Sequence, residues 1–333
     1  MASARVEEKR LFRESACCTG STERQSQAFA LASDRLATAG LAAASQSSGT
    51  LPSMAGFGAE RVNDQQGKPS DSNGPAPQRS SELEGRVALV TGGSRGIGRA
   101  CVRHLAAAGA DVVVNFRSSQ DEAAAVAEEV TALGRRAIAV RADVSDQGEI
   151  AAMVDAVVSH MGRLDIVVSN AAAGGFRTAT AMTPAHLEAI LRTNAGALAW
   201  LAKAAAEALG SHQHNGKIVA ISSHGSQWAV PHYAAIGASK AALESLARSL
   251  AWELGPGGVN VNVVLPGIVA TEAIATMPGM DQMLAAAGER MLTPRRRLHP
   301  NDVAAAVRFL CSDAADLVQG HTLVLDGGIT IQV

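Results

Sequence analysis

Hydrophobic positions are unevenly spread along this chain. Residues 1–82 lack a sustained apolar period and are rich in Ser, Ala, Gly and Gln. The run 63–81, NDQQGKPSDSNGPAPQRSS, reads as a solvated linker. A short alanine-rich helix over 28–44 is the one element suggested there. From Glu84 the pattern changes. Short, continuous apolar runs at 86–91, 111–114, 137–142, 164–169, 217–222, 259–265 and 322–325 predict strands. Between them, helices are predicted over 101–108, 122–133, 149–161, 185–209, 235–254 and 301–311, the first stopped by Gly109.

Strands of continuous rather than alternating hydrophobicity, separated by helices, indicate a parallel sheet covered on both faces. The expected fold is α/β: a single doubly wound Rossmann domain over residues 83–333, with a parallel sheet of about seven strands. Residues 1–82 precede it as a disordered extension or linker, a targeting peptide, or sequence upstream of a later start such as Met54. Early acids at Glu7, Glu8, Glu14 and Glu23 count against a transit peptide. No repeat of solenoid period is visible.

Composition narrows the function classes. Hydrophobic residues make up 47% of the 333, enough for a sizeable core. A net charge of −2 gives no electrostatic reason to expect nucleic acid or anionic membrane as partner. Aromatics are 3% and tyrosine occurs once, at Tyr233, which argues against a base-stacking platform. No apolar stretch approaches the ~18 residues of a membrane span. The four cysteines, Cys17, Cys18, Cys101 and Cys311, have no metal-ligand spacing, and the latter two fall in apolar helical patterns as buried thiols. A cytoplasmic location is expected.

The first strand runs into Thr91-Gly92-Gly93-Ser94-Arg95-Gly96-Ile97-Gly98. Glycines let the backbone turn tightly and approach a pyrophosphate, and the following helix aims free N–H groups and its positive dipole end at that anion. Position after a strand and before a helix, in the first βα unit, is the confirming context for dinucleotide binding. The second strand ends Val114-Asn115-Phe116-Arg117-Ser118, without the acid that would hold a ribose 2′-hydroxyl. Arg117 and Ser118, with Arg95 in reach, suit a 2′-phosphate and favour NADPH over NADH. Asp143-Val144 ends the third strand, where the carboxylate either accepts from the adenine amino group or caps a helix. Asn170 ends the fourth strand, again at the carboxyl edge where such sheets bind ligands.

Taken together, TGGSRGIG at Thr91, the NAA turn at Asn170, Asn194 in a long helix, ISS at Ile221, a Tyr/Lys pair, LPG at Leu265 and LDGG at Leu325 resemble the short-chain dehydrogenase/reductase family, from about Glu84 to Val333. Most of that family carries Tyr-x3-Lys. Here the lysine is Lys240, residue 236 is Ile, and the tyrosine is Tyr233, giving Tyr-x6-Lys. That spacing, in ISSHGSQWAVPHYAAIGASKAALESLA, is similar to the NADPH-dependent type III enoyl-acyl-carrier-protein reductases, which also lack a second tyrosine ten residues earlier, where this chain has Ser223.

The resemblance implies that Lys240 binds the nicotinamide ribose and that Tyr233 stabilises the oxyanion. The shifted spacing makes chemical sense. Conjugate reduction adds hydride at C3 while charge develops on the thioester oxygen, further from the donor than a ketone oxygen would be. If both residues are helical, seven positions place them on one face about 10 Å apart along the axis. Ser223 either assists the oxygen or supports the loop. Asn194 is either part of a water relay or a helix-bridging amide. His224 and His232 are read as loop residues beside the site rather than acid–base groups.

After LPG, Ile268 and Thr271 are placed over the nicotinamide and phosphates. The stretch 272–291 holds Met277, Met280, Met283 and Met291, suiting either an acyl-chain lid or a helix packed on the domain. Arg295–Arg297 is either a docking point for an acidic carrier protein or a solvated turn. The expected substrate is an enoyl thioester on acyl carrier protein or coenzyme A, and the expected assembly a homodimer or homotetramer. A 3-oxoacyl or other carbonyl reductase is the alternative, and a non-catalytic cofactor-binding regulator the remaining class.

Overall fold

The structure, a computed structural model, describes residues 77–210, 214–271, 280–292 and 297–332. The helix expected at 28–44, Cys17 and Cys18, Met277, Arg295 and Arg296 lie outside the described residues.

The elements follow in the predicted alternation: β1 (Val87–Val90), α1 (Gly96–Ala107), β2 (Asp111–Phe116), α2 (Gln120–Ala132), β3 (Ala137–Arg141), α3 (Gln147–Met161), β4 (Ile166–Ser169), α4 (Pro184–Leu191), α5 (Ala197–Leu209), β5 (Gly216–Ile221), α6 (Ala234–Leu254), β6 (Val259–Pro266), α7 (Met280–Arg290), α8 (Pro300–Cys311) and β7 (Thr322–Leu325). The seven strands form one sheet in the order β3-β2-β1-β4-β5-β6-β7, parallel throughout. The order reverses between β1 and β4, which opens a crevice at their carboxyl ends.

Alternate side chains of the inner strands feed two cores. Ala88, Val90, Val112, Val114, Ile166 and Val168 pack under α1, α2 and α8. Val87, Leu89, Val113, Val167 and Ile218 pack under α3, α5 and α6. Strands buried on both faces need apolar residues at every position, which is why their periodicity is continuous. Cys101 and Cys311 are buried free thiols in the first core.

Three local features depart from the sequence reading. Helix α1 begins at Gly96, directly in the glycine turn, rather than near residue 101. The helix expected over 185–209 is broken by a π-helical segment, Arg192–Gly196, which rotates Asn194 inward. Residues 77–82, expected as the end of a linker, lie against the domain: Ser80 N–H donates to Ala107 O (2.9 Å), and Arg308 of α8 holds Gln78 O (3.0 Å), Ser80 Oγ (2.9 Å) and the Glu82 carboxylate. Among the described residues no helix is long and apolar enough to cross a membrane.

Candidate active site

The glycine turn is shaped by contacts that leave no room for side chains. Gly92 and Gly96 take positive φ (61° and 54°). A Cβ on Gly98 would sit 2.6 Å from Asn170 Nδ2. Asn170 rivets the turn from β4: its Nδ2 donates to Thr91 O (2.9 Å) and Gly92 O (3.2 Å). Thr91 Oγ1 accepts from the N–H groups of Asn170 (3.0 Å) and Ala171 (3.1 Å). From the other side, Asn115 Oδ1 accepts from Gly92 N–H (3.2 Å), while its Nδ2 ties the ends of β2 and β3 together. The sequence reading passed over Asn115 as merely not acidic. A polar residue inside a buried apolar strand was the signal.

Helix α1 opens from this turn with no side chain capping its first turn; Arg95, extended and exposed, stands at the N-cap. Uncapped N–H groups beside glycines are a cradle for a phosphate-bearing ligand. Thr271 lies over it, its Cγ2 3.6 Å from where a Cβ on Gly96 would be. Ser94 is buried in the turn, and Ile97 packs partly against the first core.

At the end of β2, Arg117 and Ser118 are exposed, and Arg117 Nη1 is 3.6 Å from Asp143 Oδ2. Asp143 does not cap α3. Asp146 does, accepting from Gly148 and Glu149 N–H. Asp143 accepts instead from Ser145 N–H (2.8 Å) and Oγ (2.7 Å). Burial opposes ionisation there, but these bonds and Arg117 hold its carboxyl below the ordinary range. The side chain of Val144 packs into the second core.

The second constellation stands at the carboxyl end of β5. Ser223 opens a short 3-10 turn, His224–Ser226, and its Oγ accepts from Gly225 N–H (3.2 Å) while donating to Tyr233 Oη (3.1 Å). With Ser223 as donor, the phenolic proton of Tyr233 is free to point elsewhere. Tyr233 is the N-cap of α6 (φ −110°, ψ 6°) and the helix starts at Ala234, so the condition that both residues be helical is not met. It follows His232, the one described non-glycine residue with positive φ (61°). Burial raises the phenol's pKa, only partly offset by the Ser223 bond. Two glycines seat the ring: a Cβ on Gly225 would lie 2.5 Å from Tyr233 Cε1, and one on Gly237 would strike Gly225 O. Phe176 stacks beside it, ring centroids 6.2 Å apart.

One turn and more into α6, Lys240 is buried, and its Nζ donates to Ile221 O (2.6 Å). Burial pulls its pKa down to about 8, with Glu244 nearby acting in the opposite direction. Glu244 in turn accepts from Ser222 Oγ. Ile236, four residues before Lys240, is buried and closes against the loop after β4: a Cβ on Gly174 would lie 2.6 Å from Ile236 Cδ1. The position a Tyr-x3-Lys enzyme gives to its tyrosine is thus filled with hydrocarbon. Asn194 is a bridging amide: Oδ1 accepts from Ala173 N–H (2.8 Å), and Nδ2 donates to Ala173 O (3.0 Å) and Ser239 Oγ (2.9 Å).

Helix α7 supplies an apolar roof. Leu284 and Met283 pack with Phe176, Ile268 and Ala270, and Met291 is buried. A small, open cleft beneath it is lined by Gly267, Ile268, Leu284, Met291, Arg297 and Asp326, among others. The Arg290 guanidinium of α7 stands over the Trp228 ring, 5.8 Å from its centroid. No group of metal-ligating side chains occurs among the described residues.

Known proteins place this geometry. Residues 92–330 match the family described as "Enoyl-(Acyl carrier protein) reductase". The chain is 38% identical over 260 residues to 1-cyclohexenylcarbonyl-CoA reductase of Streptomyces collinus, a match spanning 78% of this chain and 91% of that one. It is 37% identical over 256 residues to versicolorin reductase 1 of Dothistroma septosporum, covering 74% and 96% respectively. A short-chain dehydrogenase from Burkholderia cenocepacia J2315, solved in complex with NADP, superposes with a TM-score of 0.69 at 37% identity, covering 75% of this chain and 99% of that one.

Proposed function

This chain belongs to the short-chain dehydrogenase/reductase family, and on that premise we propose that it reduces the C2=C3 double bond of trans-2-enoyl thioesters with NADPH. Membership makes it an NAD(P)-dependent oxidoreductase acting on a small molecule. The observation that carries the finer reading is the exchange at the end of β5: Ile236 fills the usual tyrosine position, and Tyr233, bonded to Ser223, supplies the only phenol.

The glycine cradle, the uncapped start of α1, Asn170 and Thr271 fit a dinucleotide, with Arg95, Arg117, Ser118 and Asp143 at the adenosine end. Two exposed guanidiniums and no acid at the end of β2 favour a 2′-phosphate. Bound there, the reduced nicotinamide supplies a hydride to C3 of the substrate.

This chain's residues then handle charge and protons. Tyr233 Oη–H donates to the thioester oxygen, on which negative charge grows as C3 is reduced. Ser223 holds that hydroxyl from behind, through the relay Gly225 N–H to Ser223 Oγ to Tyr233 Oη. Lys240, protonated at neutral pH, holds the ribose and lowers the cost of the enolate beneath it. C2 takes its proton from solvent. Phe176, Ile268, Met283 and Leu284 offer an apolar surface to the acyl group. The relative whose named substrate is a conjugated enoyl-CoA supports both the thioester class and coenzyme A as carrier; Arg297 keeps an acidic carrier protein in play. A homodimer or homotetramer is the proposed assembly.

A second reading, reduction of a 3-oxoacyl or other carbonyl, is favoured by one feature: the Ser223–Tyr233 hydroxyl pair would serve a ketone oxygen equally well. Replacing Tyr233 with Phe tests the shared core. Turnover should be lost while NADPH binding survives. Intact turnover would show that the phenol is not the hydrogen-bond donor.

A further inference from the structure

One titratable group in the catalytic turn has no part in that mechanism. His224 follows Ser223 directly, and its ring meets Asp326, Trp228 and the backbone at Gly267. It is largely buried between three elements. Nε2 lies 3.3 Å from Asp326 Oδ2 at the end of β7 and is shut off from solvent, though the approach is too oblique for a well-formed hydrogen bond. Cε1 is 3.6 Å from where a Cβ on Gly267 would be, in the loop after β6. The Trp228 ring stands 5.6 Å away at a 34° tilt. Asp326 is itself pinned, accepting from Gly328 N–H (2.9 Å) through Oδ1 and Thr330 N–H (2.8 Å) through Oδ2.

The consequence lies one residue upstream. Ser223 Oγ must accept from Gly225 and donate to Tyr233 at once, and both bonds depend on where the 224–226 turn sits. That turn carries Gly225, against which the Tyr233 ring is packed. We propose that His224, held against Asp326, is a positioning residue: it ties the catalytic turn to the fixed C-terminal end of β7, and so sets Ser223 Oγ and, through it, the Tyr233 hydroxyl. This rests on the reading of Tyr233 as the group that bonds the substrate oxygen.

The pairing has a protonation state built into it. Burial lowers the imidazole's pKa, with the Asp326 carboxylate opposing. Burial also works against ionisation of Asp326, but its bonds from Thr330 and Gly328 keep it a carboxylate. Acidification adds a full charge to the ring opposite Asp326. Among the described residues, Arg290 of α7 lies one ring removed across Trp228, and Arg297 lines the cleft that Gly267 and Asp326 share.

The test is steady-state kinetics of full-length wild type, His224→Leu and His224→Gln with NADPH, across pH 5 to 9 (about the range that brackets an imidazole). Glutamine reaches Asp326 with an amide N–H; leucine fills the space without one. For His224→Leu, kcat per NADPH-binding site should fall roughly tenfold or more, the scale of sub-ångström misplacement. NADPH affinity should hold, and His224→Gln should recover most of the rate. Wild type should show an inflection in kcat below pH 6.5 that His224→Gln lacks. Wild-type kcat in His224→Leu at every pH, or no rescue by Gln, would overturn the proposal; a side chain that only stabilises the fold would lower thermal stability and leave kcat per folded site alone. Both a trans-2-enoyl and a 3-oxoacyl thioester are used. Activity with only the second would retire the enoyl reading and leave this comparison intact.

Discussion

Changing Gly225 to Ala probes the seat of Tyr233 without touching any polar group. The added carbon would lie 2.5 Å from Tyr233 Cε1. Carbon–carbon contacts settle at about 3.5–4.0 Å, so ring and turn must part by about 1 Å or more. Ser223 cannot follow both partners: its Oγ is fixed by Gly225 N–H on one side and Tyr233 Oη on the other. A misplacement of about 1 Å at a reacting centre costs on the order of 100-fold, or about 2.7 kcal/mol at 1.36 kcal/mol per tenfold. Overpacking should cost stability by about 1–3 kcal/mol. The assay is kcat for thioester reduction per active site, with sites counted by NADPH titration so that misfolded protein does not register. Gly257→Ala is the control, because nothing lies within 4 Å of a Cβ there. The expectation is a fall in kcat of about two orders of magnitude for Gly225→Ala, with NADPH affinity retained, and none for the control. Wild-type kcat and unchanged melting in Gly225→Ala would refute the reasoning, since the ring could not then be where the packing puts it.

Other outcomes follow from the same geometry. Arg117→Ala should raise the KM for NADPH far more than for NADH; equal effects on both would remove the 2′-phosphate from Arg117. The reduction rate should fall as pH rises through about 8, where Lys240 loses its proton, and a rate flat to about pH 10 would separate that charge from catalysis. Stability carries the opposite trend. Burial depresses the lysine's pKa from 10.5 to about 8, so the unfolded chain binds the extra proton in that window and wild-type stability rises with pH across it. Lys240→Met should therefore be stabilised relative to wild type at pH 7 by up to about 3 kcal/mol at ~1.36 kcal/mol per unit, an advantage that shrinks toward pH 10. A constant difference between the two proteins in denaturant melts at those pH values would contradict it.

Local signals in the sequence located the strands, the glycine turn, the Arg117 end of β2 and the Tyr233–Lys240 pair. Each of those is written in neighbouring residues: continuous apolar runs, a strand-to-helix glycine cluster, a spacing. What stayed hidden depends on contacts between distant segments. Asn115 braces the glycine turn from another strand, and nothing beside it in the chain says so. Asn194 is buried within a π-helical segment that interrupts an otherwise regular helical pattern. Gly225 and Gly237 matter for what they allow to approach, which composition does not register. Residues 77–82 look like linker because they are polar, yet Arg308 from the far end of the chain holds them. His224 reads as a loop residue in the sequence because its partner, Asp326, follows the last strand, about a hundred residues away.

The account stands most directly on which bond is reduced. Purified protein is given NADPH and a trans-2-enoyl thioester, beside the matching 3-oxoacyl thioester, and NADPH oxidation is followed with product identified in each. Conjugate reduction requires oxidation with the enoyl substrate and a saturated acyl thioester as product. Oxidation with the 3-oxo substrate alone, yielding the 3-hydroxyacyl thioester, would contradict it and make the displaced tyrosine a carbonyl acid.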